Sequence, residues 1–139
     1  MVRSVYVSVS SARVLVVDDF EPFRQFICAE LGKRPDLQVV GEASDGLKAV
    51  YKAAELKPDL ILLDIALPTL NGFEAARQIR KHAPESKIIF LSQESSADVI
   101  QEALSLGACG YVVKVKAGGE LLAAVETVIS GKKFFRPLP

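Results

Sequence analysis

Short runs of apolar, largely β-branched residues alternate along this chain with longer stretches in which apolar positions recur every three or four residues. The runs read as strands and the stretches as amphipathic helices, and their alternation predicts a parallel α/β sheet with right-handed helical crossovers. Five strand and helix pairs follow. The first strand is placed at about Arg13 to Val17, and the next helix begins near Pro22, carries Phe23, Ile27 and Leu31 on one face, and ends at Gly32 and Pro35. The second strand covers about Gln38 to Ala43. Asp45 then caps a helix with Leu47, Val50, Tyr51 and Ala54 at helical spacing, closed by Lys57 and Pro58. Leu60 to Leu63 is apolar without interruption, as befits a central parallel strand covered on both faces.

A loop from Ile65 to Asn71 leads into a third helix, about Gly72 to Lys81, and Pro84 forces a break before a fourth strand at Lys87 to Leu91. Ser95 and Ser96 fit as caps for a helix from Ala97 to Leu106, which Gly107 stops. The fifth strand is Gly110 to Val113, and the last helix bears Leu121, Leu122, Val125, Val128 and Ile129 up to Gly131. Outside this pattern lie residues 1–12, where Val5, Val7 and Val9 alternate with Tyr6 and Ser8 as in a strand but equally as in a frayed tail. Residues 132–139, KKFFRPLP, read as the start of a linker or a C-terminal tail. The domain itself is assigned to residues 13–131.

Composition narrows the function classes. At 139 residues the chain holds one well-cored domain, and equal numbers of acidic and basic residues give no bulk attraction for nucleic acid or an anionic membrane. No apolar stretch reaches the roughly 20 residues that span a bilayer, and no signal peptide is evident, so a cytoplasmic protein is expected. Cys28 and Cys109 lack partners at metal-ligand spacing and read as buried, reduced thiols. His82, near a helix end, is assigned no role, and Tyr51 and Phe73 read as core.

The candidate chemistry sits where strands end. VLVVDD stops at Asp18 and Asp19, LILLD at Asp64, IIFLS at Ser92 and YVVK at Lys114. In an open parallel sheet these termini converge on one crevice. Taken singly, each has an ordinary explanation: a helix cap for the aspartates and for Ser92, a surface charge for Lys114. Taken together, three carboxylates need a counter-cation, for which a hydrated Mg²⁺ and the Lys114 ammonium are suited. The ammonium and the Ser92 hydroxyl also suit a phosphoryl group.

Asp18-Asp19, the segment DIALPTLNG from Asp64 to Gly72, Ser92 and GYVVK ending at Lys114 resemble, in order and spacing, the receiver domain of two-component response regulators, over about Arg13 to Ser130. The resemblance implies a doubly wound, flavodoxin-like (βα)5 fold with a five-stranded parallel sheet in the order 2-1-3-4-5. It implies Asp64 as phosphoacceptor, Asp19, Asp64 and the Ala66 carbonyl as Mg²⁺ ligands, and Asp18 acting through a metal-bound water. Lys114 would pair with Asp64 and then with the phosphoryl group. Ser92 would move to bond a phosphoryl oxygen and vacate space into which Tyr111 rotates inward. Ala66 and Glu94 occupy positions where this family tunes dephosphorylation. The implied partners are a sensor histidine kinase and a second copy docked through the fourth helix, fifth strand and fifth helix.

One departure stands out: Val115 follows Lys114 where many receivers have proline. That feature, with GEASDG and the GKKFF after the last helix, is similar to receivers of LuxR/NarL-type transcriptional regulators, which precede a helix-turn-helix domain. No such domain lies in this chain, so DNA contact would require one outside it; otherwise the chain acts through protein contacts alone.

Rival readings are weaker. A haloacid-dehalogenase-type phosphatase also uses an aspartyl nucleophile after an apolar strand, but wants an acid two residues later, where Ala66 stands. A nucleotide or flavin binder lacks its glycine loop after the first strand. A receiver-like scaffold that is never phosphorylated has no need of clustered carboxylates.

Overall fold

The computed structural model describes residues 11–135, and the alternation of Val5, Val7 and Val9 lies outside the described residues. The elements run β1 (Ala12–Val17), α1 (Glu21–Leu31), β2 (Leu37–Ala43), α2 (Gly46–Leu56), β3 (Leu60–Asp64), α3 (Gly72–His82), β4 (Lys87–Ser92), α4 (Ala97–Ser105), β5 (Gly110–Val113), α5 (Ala117–Ile129) and β6 (Phe134–Phe135). All strand pairs are parallel, in the order β2-β1-β3-β4-β5-β6. The expected order is therefore present, extended by a sixth strand where a tail was expected.

Strand parity builds two cores. Leu15, Val17, Ile61, Leu63, Phe90, Tyr111 and Phe135 face α2, α3 and α4, whereas Val14, Val16, Leu60, Leu62, Leu91, Val112 and Phe134 face α1 and α5. β3 is buried along its whole length, which explains its unbroken apolar sequence. Three of the helices begin on side-chain caps: Asp45 accepts from Lys48 N–H and Ser96 from Val99 N–H, as their sequences suggest, and Asn71, read as the end of a loop, accepts from Glu74 N–H.

Two expectations are corrected. On α2 the buried face is Gly46, Ala49, Val50 and Ala53, while Tyr51 is 66% and Leu47 43% exposed. The small residues let α2 lie close to its neighbours, and the face rotates by one residue toward them. The two cysteines are half-buried rather than buried, and both are free thiols. Burial and the neighbouring Glu42 carboxylate push the Cys28 thiol up to about 11, so it stays protonated at neutral pH. Phe73 does belong to the core, edge-on to Phe90 with ring centroids 5.1 Å apart.

β6 follows from the way α5 ends. Gly131, at φ +98°, takes the left-handed conformation, with its N–H on the Val128 carbonyl and the Lys132 N–H on that of Thr127. This paired arrangement reverses the chain at a helix end. It returns Phe134 and Phe135 alongside Gly110 and Tyr111 of β5. Both rings are buried, one in each core.

Candidate functional site

The register of β1 on β3, Val17 opposite Leu63, places the following residues, Asp18 and Asp64, next to each other at the carboxyl ends of the strands. Like charges side by side are destabilising, and here burial makes it worse: Asp18 is 0% and Asp64 3% exposed. Lys114 resolves the conflict. It leaves β5 two strands from β3, with the parity that points toward α1 and α5. Its long stem carries the ammonium to 2.7 Å from Asp18 Oδ2 and 3.3 Å from Asp64 Oδ2. The Phe23 ring, on the first turn of α1, lies 4.8 Å from the same ammonium and covers it from solvent. The sequence reading missed Phe23 as a site residue, although its place four residues after Asp19 puts it on the turn that overhangs the strand ends.

The carboxylates differ in what they have left to offer. Asp18 Oδ1 accepts the Phe20 N–H at 2.9 Å, and its Oδ2 is ion-paired with the Lys114 ammonium. Asp64 Oδ1 accepts the Ala66 N–H at 3.2 Å. Asp19 is exposed at the rim. One carboxylate oxygen from each of Asp18, Asp19 and Asp64 lies within 4.8 Å of the others. This all-oxygen, trianionic set fits a hard divalent cation such as Mg²⁺, with the exposed Asp19 the most accessible of the three.

Burial and the Asp18 charge push the Asp64 carboxyl up to about 6, against the opposing pull of Lys114. Burial disfavours the Lys114 ammonium, but hydrogen bonding to Asp18 and the charges of both aspartates outweigh it and raise its pKa. The ammonium is thus secured by the carboxylates it neutralises.

Ser92 and Tyr111 have the opposite strand parity and form a second arm of the site. Ser92 is buried, and its Oγ accepts the Glu94 N–H at 2.9 Å. The Tyr111 hydroxyl donates to the Glu94 carbonyl at 2.8 Å. One peptide segment therefore links the serine to the tyrosine. Tyr111 is fully buried in this structure, so its ring already occupies the inward position that was expected to open only after Ser92 moves. Burial and the Glu94 charge raise its phenol pKa, with Ser92 in partial opposition.

Gly72 packs tightly against the backbone that carries Asp64. A Cβ there would lie 2.2 Å from the Asp64 carbonyl oxygen, and the Gly72 N–H bonds the Ile65 carbonyl at 2.7 Å. The cleft, about 960 Å³, is lined by Asp19, Asp64, Lys114 and Ser92 together with Phe20, Phe23 and Val115. Val115, in the place of the usual proline, is 87% exposed and lies in the middle of a single 3₁₀ turn, Lys114–Lys116. A second cleft of about 630 Å³ at the opposite end of the sheet, lined by Lys57, Asp59, Glu85 and Lys87 among others, brings together no comparable set. His82 contributes only its carbonyl, which accepts from Lys57 Nζ. Among the described residues, no helix is long and apolar enough to cross a membrane.

Comparison with known proteins places this geometry. The model of the response regulator receiver domain matches residues 14–126. The response regulator protein VraR of Staphylococcus aureus is 37% identical over 125 residues, covering 90% of this chain and 60% of VraR. The chain thus spans about three-fifths of the curated relatives it matches. Among solved structures, a LuxR-family two-component response regulator from Aurantimonas superposes with a TM-score of 0.87 at 32% identity, over 92% of this chain and 91% of the other. The receiver domain of the putative response regulator NarL from Mycobacterium tuberculosis gives 0.83 at 29% identity, over 88% and 99%.

Proposed function

The chain belongs to the response regulator receiver domain family, and from that premise we propose that it is a phosphorylation switch with Asp64 as its phosphoacceptor. The observation that carries this reading is the single ammonium of Lys114 held between Asp18 and Asp64 beside the Ser92 hydroxyl. Asp64 reacts as its carboxylate, the form that the neighbouring Lys114 ammonium favours. One of its oxygens attacks the phosphorus of a phosphohistidine on a sensor kinase; the P–N bond breaks, an acyl phosphate forms, and the departing imidazole takes up a proton. Such transfer needs chiefly positioning and charge neutralisation. Mg²⁺ would be held by Asp19, Asp64 and the Ala66 carbonyl, with Asp18 acting through water, and would supply charge neutralisation of the transferred group's oxygens.

Lys114 neutralises the remaining charge as a point cation, and the Ser92 hydroxyl donates to a phosphoryl oxygen. The product adds up to about two negative charges beside Ser92. Its preference for one serine position biases the Ser92, Glu94 and Tyr111 chain, by as much as its affinity differs between the two states. The output is the surface around α4, β5 and α5, through which a second copy or a DNA-binding domain outside this chain is controlled. The alternative acid two residues beyond the nucleophile, needed by a phosphatase, is absent at Ala66, so the chain switches rather than turns over a substrate.

Incubation with an autophosphorylated sensor histidine kinase tests this proposal. Radiolabel should pass to this chain in Mg²⁺, be released by alkali as an acyl phosphate is, and fail to reach Asp64→Asn. Label stable to alkali, or label retained by the variant, would exclude Asp64 as acceptor.

A further inference from the structure

β6 turns β5 from an edge strand into an interior one, and it does so at the residue that the switch uses. Phe90, Tyr111 and Phe135 are register partners on β4, β5 and β6. All three point into the core beneath α2, α3 and α4 and stand in a row. Strand neighbours are about 4.8 Å apart, so the Tyr111 ring is flanked on its inner side by Phe90 and on its outer side by Phe135. The outer ring is itself only 8% exposed. Without β6, Tyr111 would lie on the sheet's open edge, where a side chain is free to swing into solvent. With β6 in place, that exit is filled by Phe135. In turn, Phe135 is buried in the same core as the inward Tyr111, whose hydroxyl is on the Glu94 carbonyl.

β6 is a small element. It is two residues long, the Phe134 N–H bonds the Cys109 carbonyl at 2.9 Å, and it is reached through the Gly131 reversal and two lysines. Two-residue pairing is marginal without side-chain burial; Phe134 is buried in the core beneath α1 and α5, whereas Phe135 is buried in the core that holds Tyr111, so that half of the attachment depends on where the tyrosine ring is placed. We propose that β6 is a latch on Tyr111: it docks on the inward tyrosine and detaches when the tyrosine turns out. The switch state is thereby passed directly to whatever follows residue 135. Coupling of this kind is reciprocal. Phosphorylation that favours inward Tyr111 tightens β6, and tension or binding that removes β6 weakens phosphorylation. The phosphorylation half of this inference rests on the function proposed above; the coupling of β6 to Tyr111 does not.

Amide hydrogen exchange, resolved by NMR, separates the two. The reporter is the Phe134 N–H, and the Phe90 N–H of β4 monitors the rest of the sheet. In Tyr111→Ala, exchange at Phe134 should quicken at least tenfold while Phe90 is unchanged; equal protection at Phe134 in the two proteins would overturn the latch. Should that variant fail to fold by circular dichroism, Tyr111→Phe removes only the hydroxyl. It should quicken Phe134 exchange severalfold, and no change there overturns the proposal equally. Beryllofluoride with Mg²⁺, a mimic of the acyl phosphate, should then slow Phe134 exchange severalfold in the unmodified chain. Shifts of the Ala66 and Ser92 amides without any change at Phe134 would refute transmission to β6. Absence of those shifts would instead count against Asp64 as acceptor, leaving the Tyr111 variants to decide the latch.

Discussion

Lys114 stands closer to Asp18, at 2.7 Å, than to Asp64, at 3.3 Å. The fully buried aspartate thus holds the ammonium more tightly than the one proposed to react. A lysine whose main anchor is Asp18 stays in the cleft when Asp64 acquires a phosphoryl group. Lys114→Met should therefore do more than slow the chemistry. Breaking a buried pair by removing one partner costs roughly 3 kcal/mol, and urea denaturation in EDTA should show a loss of that order, partly recovered in Mg²⁺.

Stability should fall as pH rises through the range in which Asp64 titrates. Its folded value of about 6 lies above the ordinary 3.8. The folded protein therefore binds the proton more tightly than the unfolded chain does. The associated stability is complete below pH about 4 and lost by the time pH exceeds about 6, and amounts to roughly 3 kcal/mol. Asp64→Asn should flatten this slope and, at pH 8 without metal, melt at a higher temperature than the unmodified chain. Melting curves at several pH values in EDTA provide the check, and parallel slopes for the two proteins would contradict the assigned shift.

Divalent cations should reverse that penalty. Binding only to the folded state stabilises by about 2.7 kcal/mol at a ligand concentration one hundred times its dissociation constant. Thermal melts across a Mg²⁺ titration should rise in the unmodified chain. Asp19→Asn, which removes the exposed carboxylate of the cluster, should need substantially more Mg²⁺ for the same rise.

Ser92→Ala removes the acceptor of the Glu94 N–H and the proposed donor to the phosphoryl group. The first effect should cost about 1 kcal/mol of stability, and the second, a hydrogen bond to a charged group, roughly tenfold or more in the rate of labelling from a small phosphodonor. Stopped-time labelling alongside urea melts distinguishes the two, since a stability loss of that size leaves the protein folded.

Gly72→Ala tests the close packing behind Asp64. The added Cβ would lie 2.2 Å from the Asp64 carbonyl oxygen and 2.7 Å from Ile65 Cα, both backbone atoms that yield only by shifting the strand end. A loss of about 1–3 kcal/mol is expected, together with slower labelling of Asp64, because the shift displaces that carboxylate.

Much of this was legible beforehand because strand ends carry their own signature. Asp18, Asp64, Ser92 and Lys114 each close an apolar run, and a parallel sheet forces such positions together. What escaped detection depends on tertiary packing. The α2 face was misjudged because size, not hydropathy, decides which side lies against a close neighbour: Ala49 and Ala53 are buried and Tyr51 is not. Phe134 and Phe135 gave no periodic signal in a two-residue strand, and their pairing depends on the reversal at Gly131. The inward Tyr111 could not be read from GYVVK, since it depends on the Glu94 carbonyl arriving from a different loop.

The most direct test of the central claim is the intact mass of this chain and of Asp64→Asn after incubation with acetyl phosphate, with and without Mg²⁺. The account predicts a gain of one phosphoryl group in the unmodified chain, only with Mg²⁺, and no gain in the variant. An unmodified mass under every condition, or equal labelling of the variant, would contradict it.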